Sequence, residues 1–584
     1  METRRPRSSP DLRIAFSARW LLLVAAVAPV GFIAWVSLLS YRDAPFWDEF
    51  ATTLKFLSDL HDSASWGETL RLFVAGSNQH CMITTRLITA GIYLLTGKIN
   101  FIALAAIGHL AIACACVVLA WQPRQLNARF FYGALLGLLI FQLQHFENQI
   151  LSYAAIDHYQ VVLWVAVSLA LLGLGGRLAG VAAGAAAVAA VFTVAQGLAV
   201  FPAGAWLLWH QRRRRALAWW AVLGAGVAGL FAVSVSVAAP AGASLASVAG
   251  WLAAGRYWLA LLGSVPGLEH PVLAPAFGAA GLAWFGLLAG WGALRREPVL
   301  GAFLIATLGA TLLIAYGRFT LGVPQIAPRY FVQSALFWAT LPVIALRAPG
   351  APARFWRLAL PVTLGAAAFS VVASARYGPV AEQFFRQRLE TIRYYDKWLT
   401  LAGAPHPIYP DSAAADRILQ AAERRGIFRL QARSSPPIAR RLPVAERAMH
   451  YYLDEQELGD RRLHIRGWML PPEDLRGDYR PYLVLGAGER EFVFRGRRQR
   501  RPDVAAAHDR PDAVNSGFIF VIRRLELPPT ELKISLQWRS ERGGVFTRTD
   551  HRVDNQPNFA ATSLNKIHPN LTEPARQIFL GVLP

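Results

Sequence analysis

Stretches of roughly 17–22 mostly apolar residues recur through the first two thirds of the chain, about the length a helix needs to cross the hydrocarbon core of a bilayer. This leaves the chain few options. Inside a bilayer every backbone N–H and C=O must be paired within the protein, and a helix does so locally. Only 16% of the 584 residues are charged, below the roughly 25% of an ordinary soluble domain. The expected class is a polytopic α-helical membrane protein of about 11–13 spans.

Candidate spans read as approximately 20–40, 81–96, 99–120, 130–145, 160–176, 178–195, 197–210, 216–238, 272–293, 299–316, 330–346 and 358–375. Residues 1–19 form a basic N-terminus, and Trp20 to Leu39 reads as an uncleaved first helix. The net charge of +22 does not point to nucleic acid. Its arginines fall in short loops: Arg124 and Arg129, Arg212 to Arg215, Arg295 and Arg296, and the basic loop 347–357. That is the pattern of cytoplasmic loops. It places 41–80, 146–159, 239–271 and 317–329 outside, together with everything after about 376. Twelve simple crossings contradict this orientation, and the short segment 81–96, which carries Arg86, is the one to doubt.

The expected organisation is a transmembrane domain over 20–376, a helical connector over 377–447, a β-sandwich over 448–555 and a tail over 556–584. In the external loop 41–80, Leu54, Leu57 and Leu60, then Trp66, Leu70 and Phe73, recur at helical spacing and predict two short amphipathic helices on the membrane surface. Beyond 448, short β-like runs separated by Gly, Pro and Asp predict an extracytoplasmic antiparallel sandwich. Its aromatic residues Trp468, Tyr482 and Trp538 are either core or a surface on which sugars stack. The three cysteines, Cys81, Cys114 and Cys116, lie in or beside apolar segments, have no metal-ligand spacing and read as small buried hydrophobes.

Three polar elements interrupt the apolar pattern. Trp47-Asp48-Glu49 follows the first span. Asn78-Gln79-His80, with Arg86 behind it, opens the second. Gln144-His145-Phe146-Glu147-Asn148 closes the fourth, and Asp157 and His158 follow it. In this order they resemble the W-D-E/Q, N-E-H-R and Q-x-E-N elements of a group of bacterial polytopic proteins similar to the GT-C glycosyltransferases. This chain departs from the group at the second element, where Gln79 and Cys81 stand for an acid and an arginine. Arg501-Pro502-Asp503-Val504 and Asn515-Ser516-Gly517-Phe518 resemble a β-sandwich appended to several bacterial glycosyltransferases.

The resemblance implies a bacterial inner-membrane enzyme that moves a sugar from a polyprenyl-phosphate donor to an extracytoplasmic glycan, lipid or protein acceptor, surrounded by membrane lipid. No nucleic acid and no nucleotide cofactor are expected, because the lipid phosphate is itself the leaving group. A divalent cation is compatible with the site, with Asp48 as the ligand if one is used. An acceptor hydroxyl needs a general base. Asp48 is the first choice and Glu49 the second, with Trp47 and Asn78 supporting the loop. Capping of a helix N-terminus is the rival role for both acids. His80, Arg86, Glu147, Asn148, Arg318, Arg329 and Tyr330 are the candidates for contacting donor phosphate or acceptor; ordinary interface anchoring is their alternative. Two other function classes fit the same pattern: a transporter or flippase of lipid-linked glycans, and a non-catalytic GT-C-like scaffold that binds lipid or glycan.

Overall fold

The computed structural model describes residues 10–40, 42–76, 82–234, 247–323, 326–346, 355–398, 401, 404, 406, 408–428, 430, 444–459, 462–470, 479–487, 490–524, 527, 530–540 and 543–555. They fall into two compact units. One lies within Met1–Leu389 and Ile408–Arg429, the other within Glu390–Pro407 and Leu430–Glu573.

The first unit is helical. Seven of its helices are long and apolar enough to cross a membrane, or eight if the bent pair Leu126–Ile140 and Leu143–Gln149 is one span. They include Ala18–Ser40, Phe101–Ala120, Ser152–Leu174, Arg214–Ser234, Leu273–Gly290, Pro298–Leu321 and Arg357–Ile392. Their ends follow local rules. Asn100 accepts from the Ala103 N–H at 2.9 Å to start the helix Phe101–Ala120. Pro298 opens its helix where no N–H partner is needed. Leucine and valine side chains such as Leu38, Leu110, Val222 and Val233 stay exposed on these helices, a surface that lipid accepts and water does not.

This count is lower than the 11–13 expected. Several predicted spans form helices too short to cross alone. The doubtful segment 81–96 becomes Ile83–Thr96, 14 residues and about 21 Å long. The segments 178–195, 197–210 and 330–346 become Arg177–Val191, Val200–His210 and Phe331–Ala345. Conversely, 239–271, read as a loop, contains the helix Val248–Leu262. The stretch 146–159 is not a solvated loop either. It holds a one-turn helix, Phe146–Ile150, and the start of Ser152–Leu174, whose residues 152–162 are all buried. Ser152, Asp157 and His158 meet Glu49, Thr85 and Gln196 from distant segments, which a hydropathy reading cannot see. Close packing relies on glycine: a Cβ on Gly278 would collide with the Leu259 carbonyl, and one on Gly137 with the Ala26 backbone.

The first external loop forms a π-helical turn Phe50–Lys55 and helices Phe56–Asp62 and Trp66–Val74. The last long helix, Phe355–Trp398, runs far past its predicted end near 375. Part of the expected connector belongs to the first unit. The Trp47 N–H donates to the Ile408 carbonyl at 2.8 Å, the Ile99 N–H to that of Ile427 at 2.8 Å, and Arg425 pairs with Asp62. Cys114 is exposed rather than buried, Cys116 is half-buried, and Cys81 lies outside the described residues.

The second unit contains nine strands among the described residues: β1 (Val444–Glu446), β2 (Tyr451–Leu458), β3 (Arg462–Met469), β4 (Arg480–Ala487), β5 (Arg490–Arg495), β6 (Arg497–Gln499), β7 (Gly517–Arg523), β8 (Glu531–Ser540) and β9 (Gly543–Asp554). They form two sheets, β1-β9-β8-β4-β5 and β2-β3-β7-β6. All pairs are antiparallel except β1 with β9. Alternating residues fill the core between the sheets: Leu463 and Ile465, Leu483 and Leu485, Phe518, Phe520 and Ile522, Ile534, Leu536 and Trp538. The Trp538 indole N–H donates to the Met469 carbonyl at 3.0 Å, from one sheet to the other. Trp538 and Tyr482 are therefore buried and present no ring for a sugar; Trp468 is half-buried.

Candidate active site

The two neighbouring acids of the first loop have opposite surroundings. Glu49 is fully buried. One carboxylate oxygen accepts from the Phe46 N–H at 2.7 Å. The other accepts from the Ser152 N–H at 2.7 Å, from the Ser152 hydroxyl and from the Tyr153 N–H at 3.4 Å. The Arg388 guanidinium stands 3.9 Å away, equally buried, and also donates to the Ala44 carbonyl. Glu49 thus caps a helix that starts a hundred residues later, where free N–H groups and the helix dipole favour an anion. Burial pushes its carboxyl above the usual range, opposed by Arg388, Ser152 and the Phe46 N–H. Fully buried, with three donors on one oxygen and the Phe46 N–H on the other, it is a poor proton acceptor for a substrate. The expectation of a catalytic Glu49 gives way to an anchor.

Asp48 is half-buried, and its backbone carbonyl accepts from the Thr52 hydroxyl at 2.8 Å. The preceding Trp47 is 38% exposed with φ of 49°, a left-handed conformation that costs a non-glycine residue roughly 1–2 kcal/mol. Its N–H is held by Ile408, so the strain is imposed from outside the loop. The π-helical turn after it is a second departure of a kind that is frequent at functional sites. The Asp48 charge acts on Tyr153, Asp157 and Tyr409. Burial, together with Asp48 and Asp411, pushes the Tyr409 phenol up from its ordinary value.

The third element converges on the same place. Glu147 accepts from Arg329 at 2.9 Å, and the Asn148 amide donates to the Arg329 carbonyl at 2.9 Å. Arg329 lies over the Tyr330 ring, 5.2 Å from its centroid, and Tyr330 meets His158 edge-on at 5.2 Å. Glu147, Arg329 and Asp48 all act on Tyr153. Asp157 accepts from the Thr85 hydroxyl at 2.5 Å and feels Asp48, Arg329 and Arg86. His158 meets the Gln196 amide at 3.2 Å. Arg318 joins at the edge, acting with Arg329 and Tyr330 on Tyr257.

Arg86 takes a different role from the one expected. Its guanidinium donates to the carbonyls of Phe73, at 3.0 Å, and Ala75, and sits over the Phe56 ring. It closes the C-terminus of the helix Trp66–Val74, a place where a cation suits the dipole. The phosphate contact assigned to it from sequence is replaced by this tie, although its charge still reaches Asp157. His80, Asn78 and Gln79 lie outside the described residues.

Sequence reasoning missed the partners that order the cluster: Thr85, Tyr153, Gln196, Arg388 and Tyr409. None carries a motif. A lone Thr, Gln or Tyr in an apolar helix gives no signal until its neighbour is known. Among the described residues no group of three or more His, Cys, Asp or Glu side chains could hold a metal ion. The arrangement offers two carboxylates in electrostatic contact, Asp48 and Asp157, with an arginine–glutamate pair and phenols at its wall.

Next to this cluster, at Gln196, lies a small, partly open cleft lined also by Val161, Val165, Phe303, Ala310 and Gln333. Comparison with known proteins finds no match: no family model, no curated protein and no solved structure.

Proposed function

We propose that this chain is a GT-C-type glycosyltransferase that moves a sugar from a polyprenyl-phosphate donor to an acceptor hydroxyl on the outer side of a bacterial inner membrane. The observation that carries the reading is the convergence of Asp48, Asp157 and the Glu147–Arg329 pair from three distant stretches of chain onto one cluster. Asp48, half-buried and held by a strained loop, is the general base. It takes the proton of the acceptor hydroxyl as that oxygen attacks the anomeric carbon. The bond from that carbon to the phosphate oxygen breaks, and the lipid phosphate leaves with the electron pair. Arg329, adjacent to the acids, stabilises the charge that develops on the phosphate.

The position of the charges supports an enzyme over a transporter. Asp157 and His158 lie in the first third of the 23-residue helix Ser152–Leu174, roughly 8–9 Å along a helix of about 35 Å. A transporter collects such groups near the middle. In this reading the C-terminal unit is extracytoplasmic and serves acceptor placement.

The test is transfer of radiolabelled sugar from polyprenyl-phosphate donors in membranes carrying the full chain or Asp48→Asn. The wild type should transfer, and the variant should lose about 10²–10⁴ in rate while inserting normally. Equal rates remove Asp48 as base, and no transfer by the wild type from any such donor ends the reading. A reporter fused after Pro584 should label from outside; cytoplasmic labelling would reverse the topology.

A further inference from the structure

The small cleft beside the cluster combines apolar walls with two amides. Val161 and Val165 come from the helix Ser152–Leu174, Phe303 and Ala310 from Pro298–Arg318. Gln196 enters from the short helical turn Ala195–Ala199, and Gln333 from the first turn of Phe331–Ala345. The two side chains are only 3% and 4% exposed.

Among the described residues neither amide is fully satisfied. The Gln196 nitrogen meets His158 Nδ1 at 3.2 Å, and its Oε1 is buried without a hydrogen-bond partner. The Gln333 side chain makes no hydrogen bond among the described residues and lines the same cleft. Buried polar atoms are normally paired, and leaving them unpaired costs stability. Leucine or methionine at either position would avoid that cost. One partner held between the two amides removes it for both.

The lining sets the chemistry of that partner. None of the described lining residues is charged, so an ion gains nothing there. A prenyl chain would leave both amides unpaired. A whole sugar ring is too large for so small a cleft. What fits is a short substituent that donates to one amide, accepts from the other and lays a methyl group on the apolar walls. An acetamido group offers its N–H, its carbonyl and its methyl for these three contacts.

We propose that Gln196 and Gln333 form a subsite for the acetamido group of a 2-acetamido sugar. The Gln196 Oε1 accepts from the acetamido N–H, the Gln333 amide donates to its carbonyl, and the methyl rests on Val161, Val165 and Phe303. The place suits the role. Gln196 touches His158, His158 meets Tyr330 edge-on at 5.2 Å, and Gln333 follows Tyr330 by three residues. The binding stands on the cleft alone. Only its role rests on the transferase reading, in which the sugar held this way is the one transferred.

The test uses the full chain in lipid nanodiscs and saturation-transfer NMR. The probes are the methyl glycosides of N-acetylglucosamine and N-acetylgalactosamine, set against methyl glucoside and methyl galactoside. On the wild type the acetamido methyl protons of at least one probe should be saturated several-fold more strongly than any proton of the plain glycosides. Gln333→Met keeps the length of the side chain and removes its amide. The acetamido signal should then fall about fivefold or more, the loss of one hydrogen bond, while the thermal unfolding midpoint holds or rises because an unpaired buried amide is gone. Gln196→Met should lose the signal likewise. No acetamido preference on the wild type, as when a water bridges the two amides, overturns the subsite, and this contrast decides alone if the variants fail to fold. Undiminished signal in Gln333→Met, or a midpoint lowered by several degrees, overturns it too. Acetamido binding without transfer from polyprenyl-phosphate N-acetylglucosamine or glucose would end the transferase reading and leave the subsite standing. Transfer without acetamido binding would do the reverse.

Discussion

Glu49 with Arg388, and Glu531 with Arg552, are both carboxylate–guanidinium contacts, one in each unit. The first is 3.9 Å long with both side chains almost wholly buried; the second is 3.3 Å long with both about half exposed. The shorter contact is the weaker device. In water, ion pairs gain little because solvent screens them and both side chains lose freedom. In the helical unit Glu49 is also bonded to the N-terminus of another helix, so removing it strands several groups that no solvent reaches. The helical unit uses buried charge to join elements far apart in sequence. The sandwich uses an alternating apolar core and leaves most of its charges at the surface, with Arg523 an exception, many in local pairs such as Arg501 with Asp503 and Arg510 with Asp512.

The sharpest way to break this comparison is Glu49→Ala. It should destabilise the helical unit by about 3–5 kcal/mol, since it takes a buried anion from beside the buried Arg388 and from the Ser152 N–H. Thermal unfolding in nanodiscs would read it. An unfolding curve unchanged from the wild type would mean that Glu49 is no anchor. Asp48→Asn, one residue away, should leave the same curve unmoved while abolishing transfer. In the sandwich the matching lesion is apolar. Trp538→Ala should cost about 3–5 kcal/mol through the cavity it opens and the lost bond to Met469. Limited proteolysis between 444 and 555 should rise, and retained protection would show that the core does not depend on it.

Thr85→Val probes a milder version of the first case. It removes the hydroxyl that donates to Asp157 at 2.5 Å, leaving a buried carboxyl short of one donor at about 1–3 kcal/mol. Stability should fall by that amount, and sugar transfer should fall with it if Asp157 belongs to the site. Smallest of all, Arg552→Ala at the half-exposed pair should stay within about 0.5 kcal/mol. A larger loss would mean that surface pairs stabilise the sandwich more than the comparison allows.

The class of the chain was legible because hydropathy is local. Membrane-length runs such as 20–40 and 99–120 became Ala18–Ser40 and Phe101–Ala120. Period-two alternation in Leu463 to Met469 and in Leu532 to Trp538 became β3 and β8. Phe46 to Phe50 could be marked because its acidic pair follows the first apolar run and matches the first element of the family resemblance. The number of long helices was not legible. Whether a run breaks near 192–199 or bends at 141–143 depends on what packs there, and hydropathy does not record it.

The sequence alone therefore determined the helical, apolar character of the first unit, the β pattern of the second and the three stretches where polar residues gather. Only the tertiary structure decided which acid faces outward. Asp48 and Glu49 are chemically near-identical neighbours, and their difference comes from Ser152 and Arg388, more than a hundred and more than three hundred residues away. The same holds for Arg86, turned from a phosphate candidate into the clasp of a helix end. A side chain's chemistry is written in the sequence. Its partners are set by how helices pack, and in an apolar interior the partners decide whether a charge serves as an anchor or a reagent.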